Sequence, residues 1–141
     1  MNKFMLFIIA IPLVASAGWF SDSDSEKIKK AQDIMFTEMK KLVNIINESY
    51  PTLVDSETRA DSISAGKWFL SYNYTMVKLS VYELDKALFL KEIEAVAVNK
   101  YCTDPTLKIY RDFKVRFLYT YYDKEGKYIT RAEASIDKCK K

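Results

Sequence analysis

The feature that most constrains this chain is a pair of cysteines, Cys102 and Cys139, downstream of an amino end that reads as an export signal. Met1-Asn2-Lys3 is followed by an uncharged apolar run from Phe4 to Val14 and then by Ala15-Ser16-Ala17, with the first acidic residue at Asp22. A positive start, a short apolar core and a small-x-small site are what a signal peptidase reads, so residues 1–17 are expected to be removed, leaving Gly18 first. The competing reading is an uncleaved anchor, since no charge interrupts Phe4 to Ser21. A spanning helix needs about 20 predominantly apolar residues, and Pro12, Ser16, Gly18 and Ser21 dilute this stretch. No stable membrane insertion is expected after cleavage. With no cysteine near the cleavage site, lipid attachment of the bacterial lipoprotein kind is not expected either.

Outside the cytoplasm two thiols become a disulfide, so a Cys102–Cys139 bond is expected. It would close a loop of about 38 residues, for which chain entropy gives roughly 4 kcal/mol, a large share of the roughly 5–15 kcal/mol typical of a domain. The 124 residues from Gly18 to Lys141 suit a single domain with one core. Without Lys3 the chain has 21 basic and 19 acidic side chains, distributed along its length. That balance offers no footprint for nucleic acid.

Ser23-x-x-Glu26 has the form of a capping box, and apolar residues at Ile28, Ala31, Ile34, Met35, Met39, Leu42, Ile45 and Ile46 follow with helical spacing. A first helix is expected from about Ser25 to Ser49, ended by Tyr50-Pro51. Two strands follow, Thr58 to Ala65 and Lys67 to Leu79, around a two-residue turn containing Gly66 that sets Ile63 beside Trp68 or Leu70. In the second strand Trp68, Leu70, Tyr72, Tyr74 and Met76 share the inward face. A second helix is expected from Tyr82 to Tyr101, with Leu84, Leu88, Ala95, Val98 and Cys102 on its main stripe and Phe89, Ile93 and Val96 widening it. Asp104-Pro105 starts a short helix to Tyr110.

The last two strands, Lys114 to Tyr122 and Tyr128 to Ile136, are joined by Lys124-Glu125-Gly126-Lys127. An even loop aligns Asp123 with Tyr128, Tyr119 with Ala132, Phe117 with Ala134 and Val115 with Ile136, so Tyr128 and the other apolar residues share a face. The expected fold is therefore α+β, in the order α-β-β-α-β-β. A four-stranded, mostly antiparallel sheet packs one face on two main helices, and one disulfide ties helix two to the end of the last strand.

Much chemistry is missing from the composition. There is no histidine, which removes the usual general base, metal ligand and pH switch. Both cysteines are committed, and Gly18, Gly66 and Gly126 are too few and too scattered for a phosphate-binding loop or a G-x-S-x-G elbow. No cofactor or metal site is expected. Glu92 with Glu94, or Asp55 with Glu57, could be a catalytic carboxylate pair, but neither sits in a recognisable pocket sequence, and no S-x-x-K stands with its partner motifs. The chain is read as a non-enzyme.

Tyrosines 72, 74, 119, 121, 122 and 128 gather on strands, where they form either a core or a wall for a small ligand or glycan. On the opposite face Phe69, Val77, Leu118 and Ile129 interrupt Arg116, Arg131, Glu133 and Asn73. That open face is the expected partner-binding surface, with Phe69, Arg116, Leu118 and Arg131 as its residues. Asn47-Glu48-Ser49 and Asn73-Tyr74-Thr75 match the glycosylation triplet, which matters only in a eukaryotic secretory pathway.

The stretch from Asn99 to Cys139 resembles a loose group of small exported proteins of Gram-negative bacteria. Asn99-Lys100-Tyr101-Cys102, Asp104-Pro105, Tyr119-x-Tyr121-Tyr122-Asp123-x-x-Gly126 and the closing Cys139 carry that likeness, with Pro51-x-x-Val54-Asp55 and Leu70-x-Tyr72-x-Tyr74 upstream. In outline the group is similar to the secretion pilotins, small periplasmic helpers that carry an outer-membrane channel subunit. This chain lacks their lipidation cysteine, and no functional residue is carried across. The chain is expected to be a periplasmic protein that binds another envelope or exported protein, as an accessory, immunity or inhibitor factor. The alternative is a small-ligand or glycan binder using a cavity between helix one and the tyrosine-rich sheet face, and secretion is the alternative to the periplasm.

Overall fold

The computed structural model describes residues 25–140. The expected export segment and Ser23 of the expected capping box lie outside the described residues. Helix α1 spans Ser25–Glu48 and buries Met35, Met39 and Val43, an i, i+4, i+8 row. Its other apolar residues are less covered: Leu42 and Ile46 pack at the rim, and Ile28, Ile34 and Ile45 are exposed.

The sheet has five strands rather than the expected four, in the order β1-β2-β3-β4-β5. The additional β1, Thr52–Leu53, is only two residues long and pairs antiparallel with Ala60 and Arg59. Two residues carry no periodicity, which is why the sequence did not reveal it. Strand β2 is Thr58–Gly66 and β3 is Phe69–Met76, antiparallel. Their two turn residues are Lys67 and Trp68, so Gly66 ends β2 opposite Phe69 instead of lying inside the turn. Ile63 pairs with Tyr72, not with Trp68 or Leu70, and a bulge between Ala60 and Ser62 re-phases the rest of the ladder.

Strand β4, Arg116–Tyr122, runs parallel to β3, because the helical crossover returns the chain to the same end of the sheet. Strand β5, Tyr128–Ala134, pairs antiparallel with β4, with Phe117 opposite Ala134 and Tyr119 opposite Ala132 as the alternation requires. Near the loop the pairing departs from the even count. Asp123 N–H donates to the Lys127 carbonyl, and Gly126, at φ 80°, donates to the Asp123 carbonyl. This three-residue loop, Lys124-Glu125-Gly126, shifts the register by one, and a bulge beyond Tyr121 shifts it back. Ile129 therefore turns into the core at 3% exposure and Tyr128 turns out at 55%, the reverse of the expectation for both. The ladder ends at Ala134, and Ile136 lies in a 3-10 turn, Ile136–Lys138, instead of facing Val115.

Helix α2 is Lys86–Thr103, shorter at its start than expected. Ser80 and Glu83 form a capping box around a separate 3-10 turn, Val81–Glu83; Leu84 is extended, and Asp85 then N-caps α2 through Leu88 N–H. Its buried row is Phe89, Ile93, Ala97 and Tyr101, while Leu88 and Val96 are exposed. The stripe read from the sequence is thus rotated from the true core face, because apolar residues fall on nearly every side of this helix. Asp104 caps the following turn, Pro105–Leu107, through Thr106 N–H, and α3, Lys108–Asp112, completes it. The Asp104 carboxyl lies below its ordinary value because the Thr106 hydroxyl and N–H donate to it.

The core lies between one sheet face and the helices: Leu70, Tyr72, Tyr74 and Met76 of β3 and Phe117, Tyr119 and Tyr121 of β4 meet the buried rows of α1 and α2. Asp123, fully buried, organises the far end of the sheet. Its carboxylate accepts from Val81 N–H at 2.9 Å, Glu125 N–H at 2.9 Å and Lys127 N–H at 2.8 Å. Burial alone would raise its pKa, but those three donors and the Lys127 charge outweigh it and hold the carboxyl below the ordinary range.

Candidate partner-binding groove

The open sheet face carries the four residues nominated from sequence, on the rows its register dictates. Phe69 and Arg116 are cross-strand neighbours, and Leu118 and Arg131 lie further along β4 and on β5. Their environment is mostly polar and internally bonded. Arg131 Nε donates to Thr120 Oγ1 at 2.9 Å, and Arg116 approaches Glu133 at 3.7 Å. Arg59, Asp61 and Thr75 form a further network, with Arg59 Nε donating to Asp61 at 2.6 Å and the Thr75 hydroxyl to the same carboxylate at 2.5 Å. Phe69 is half-buried because its ring covers Gly66; a Cβ there would lie 2.2 Å from Phe69 Cε1. The glycine is what lets the aromatic fold onto the neighbouring strand. Leu118 is the half-buried aliphatic in the middle of this face.

The tyrosines divide. Tyr72, Tyr74, Tyr119 and Tyr121 are buried and stack on one another, whereas Tyr122 and Tyr128 meet edge to face at 6.3 Å at the sheet margin. Tyr101 donates its hydroxyl to the Val115 carbonyl at 2.7 Å, and burial pushes its pKa up to about 12. Of the nominated carboxylates, Glu94 pairs with Lys138, and Asp55 accepts from the backbone of Glu57 and Thr58. The glycosylation triplets have structural work: the Asn47 amide pairs with both backbone groups of Ile63, and Asn73 Nδ2 donates to Ser62.

A site that sequence reasoning missed lies on the outer flank of α2. Ala87, Leu90, Lys91, Glu94, Ala95 and Val98 recur at three- and four-residue spacing along it, and with the C-terminal segment they line a groove of about 830 Å³. The small Ala87 and Ala95 leave the space, and Leu90 and Val98 supply the apolar wall. The opposite wall is the segment Lys138 to Lys140, clasped to α2 by the Cys102–Cys139 disulfide. Lys138 reinforces that wall by reaching Glu94 on α2 and the Glu133 carbonyl of β5. The rim carries Lys91, Lys138 and Lys140 against Glu94, so its charge is net positive. The sequence signal was present in the stripe Ala95, Val98 and Cys102, which was read as core.

The order of helix, antiparallel strands, crossover helix and closing hairpin gives a fold that is shared with solved pilotin structures. The pilotin EpsS of the Vibrio vulnificus type 2 secretion system matches with a TM-score of 0.63 at 13% identity, covering 80% of this chain and 98% of that one. The type II secretion pilotin AspS of Vibrio cholerae gives 0.58 at 10% identity, over 79% and 98%. A Pseudomonas aeruginosa protein named as secreted gives 0.63 at 8% identity, over 77% and 96%. No curated protein matches in sequence. The chain belongs to the family described as Domain of unknown function (DUF8479), whose profile matches residues 30–130.

Proposed function

We propose that this chain is an exported, non-catalytic accessory protein of the periplasm that holds a segment of another envelope protein in the α2 groove, in the manner of a pilotin with its channel subunit. The observation that carries this reading is the groove, an apolar trough between α2 and the disulfide-clasped C-terminal segment with a basic rim. An amphipathic segment could seat its apolar side chains against Leu90 and Val98 and its acidic ones against Lys91, Lys138 and Lys140. The fold shared with pilotins and the expected export segment support the same reading. Among the described residues no helix is long and apolar enough to cross a membrane. Ala95 is exposed at the groove, so Ala95→Glu fills the trough without touching the core. Binding of the purified outer-membrane channel subunit of the host's secretion apparatus should weaken at least tenfold in that variant and stay unchanged in Leu118→Asp. The reverse pattern would move the interface to the open sheet face of Phe69, Arg116, Leu118 and Arg131, and no binding by the wild type would remove the pilotin reading.

A further inference from the structure

The core side of β3 and β4 carries four tyrosines in two cross-strand pairs, Tyr72 with Tyr119 and Tyr74 with Tyr121. In each pair the ring centroids are 5.2 Å apart, with planes within 18° and 22° of parallel. Along β3, Tyr72 and Tyr74 lie 6.4 Å apart at 6°. Side chains stand roughly perpendicular to a sheet, so the phenolic ends of these rings reach a common depth, in the layer between sheet and helices. There the hydroxyls of Tyr72, Tyr74 and Tyr119 are buried with no hydrogen-bond partner among the described residues. Neighbouring rings show that the fold chooses where it places a hydroxyl. Phe117, the next inward residue of β4, has none, and the hydroxyl of Tyr101 is spent on the Val115 carbonyl.

The Tyr72 and Tyr119 rings stack with centroids 5.2 Å apart, and neither hydroxyl bonds the other. A water oxygen both donates and accepts, at about 2.5–3.0 Å from each partner. A single oxygen between Tyr72 and Tyr119 therefore satisfies both. We propose that this tyrosine layer is an internal hydration site, in which one water bridges the Tyr72 and Tyr119 hydroxyls and a neighbouring water serves that of Tyr74. Burial pushes all three phenols upward, so the occupant meets neutral groups that both donate and accept. The nearby Asp55 has an oxygen committed to Glu57 and Thr58 N–H, and a bare ion in this apolar layer would lack a counter-charge. A neutral molecule of one heavy atom meets these conditions, and buried waters bridging two to four polar groups are a regular part of domain interiors.

The test is a crystal structure of the oxidised domain at a resolution that shows ordered water, beside urea unfolding of Tyr119→Phe. The expected result is water density within hydrogen-bond distance of the Tyr72 and Tyr119 hydroxyls, lost in the variant, with a folding constant lowered by roughly 2- to 12-fold. A dry layer in the wild type would overturn the proposal. So would a Tyr119→Phe domain as stable as the parent or more so, since deleting a truly orphaned hydroxyl should help.

Discussion

Asn47 sits one residue before the end of α1 and reaches across to the edge of β2, where β1 covers only Arg59 and Ala60. Its Nδ2 donates to the Ile63 carbonyl at 2.8 Å, and Ile63 N–H donates to its Oδ1 at 2.9 Å. One side-chain amide thus replaces the next residue of a missing strand and pins the end of α1 to the sheet. Asn47→Ala removes both bonds. At about 0.5–1.5 kcal/mol each, the loss is about 1–3 kcal/mol, toward the upper end because two backbone groups of a residue only 2% exposed are left unpaired. With a urea m-value of about 1–3 kcal/mol/M, the midpoint should fall by about 1 M in a denaturation series run with the disulfide intact. Asn47→Asp keeps the acceptor for Ile63 N–H but sets a carboxylate against the Ile63 carbonyl. Only the protonated acid can donate there, so that variant's folded-state pKa rises, and its stability should be recovered as pH falls and lost as pH rises. A loss in Asn47→Ala below about 0.5 kcal/mol would refute the pinning role.

Removing the clasp with Cys102→Ala and Cys139→Ala together should cost roughly 4 kcal/mol by the loop-entropy estimate, read as the shift between oxidised and variant unfolding curves. Asp123 and Asp104 have depressed folded-state pKa values, so their contributions are complete above the unfolded value near 4 and are lost as pH falls through the folded one. Asp123→Asn should therefore flatten the acid side of a stability curve measured from neutral pH downward, and an unchanged acid limb would contradict this. Gly126 is at φ 80° with open space around its Cβ position, so Gly126→Ala should cost only the left-handed backbone strain, about 1–2 kcal/mol in thermal unfolding, with the fold retained.

The parts of the fold written as alternation were legible. Leu70, Tyr72, Tyr74 and Met76 face inward as read, and Phe117 and Tyr119 find Ala134 and Ala132. The disulfide was legible because Cys102 and Cys139 are the only two cysteines of the sequence, and it is present. What escaped had little periodic signal. Strand β1 is too short to show a repeat. The bulge beside Ile129 inverts two residues whose alternation looked regular, and only the loop's backbone hydrogen bonds reveal it. Helix α2 has apolar residues around most of its circumference, so its core face had to be chosen by packing. That ambiguity also concealed the groove, because Ala95 and Val98 read equally well as core or as trough.

Hydrogen exchange of the oxidised domain, with and without the purified channel subunit, tests the groove most directly. Slowed exchange confined to α2 and the segment from Lys138 to Lys140 is the expected footprint. Slowing confined to β4 and β5, with α2 unchanged, would contradict it.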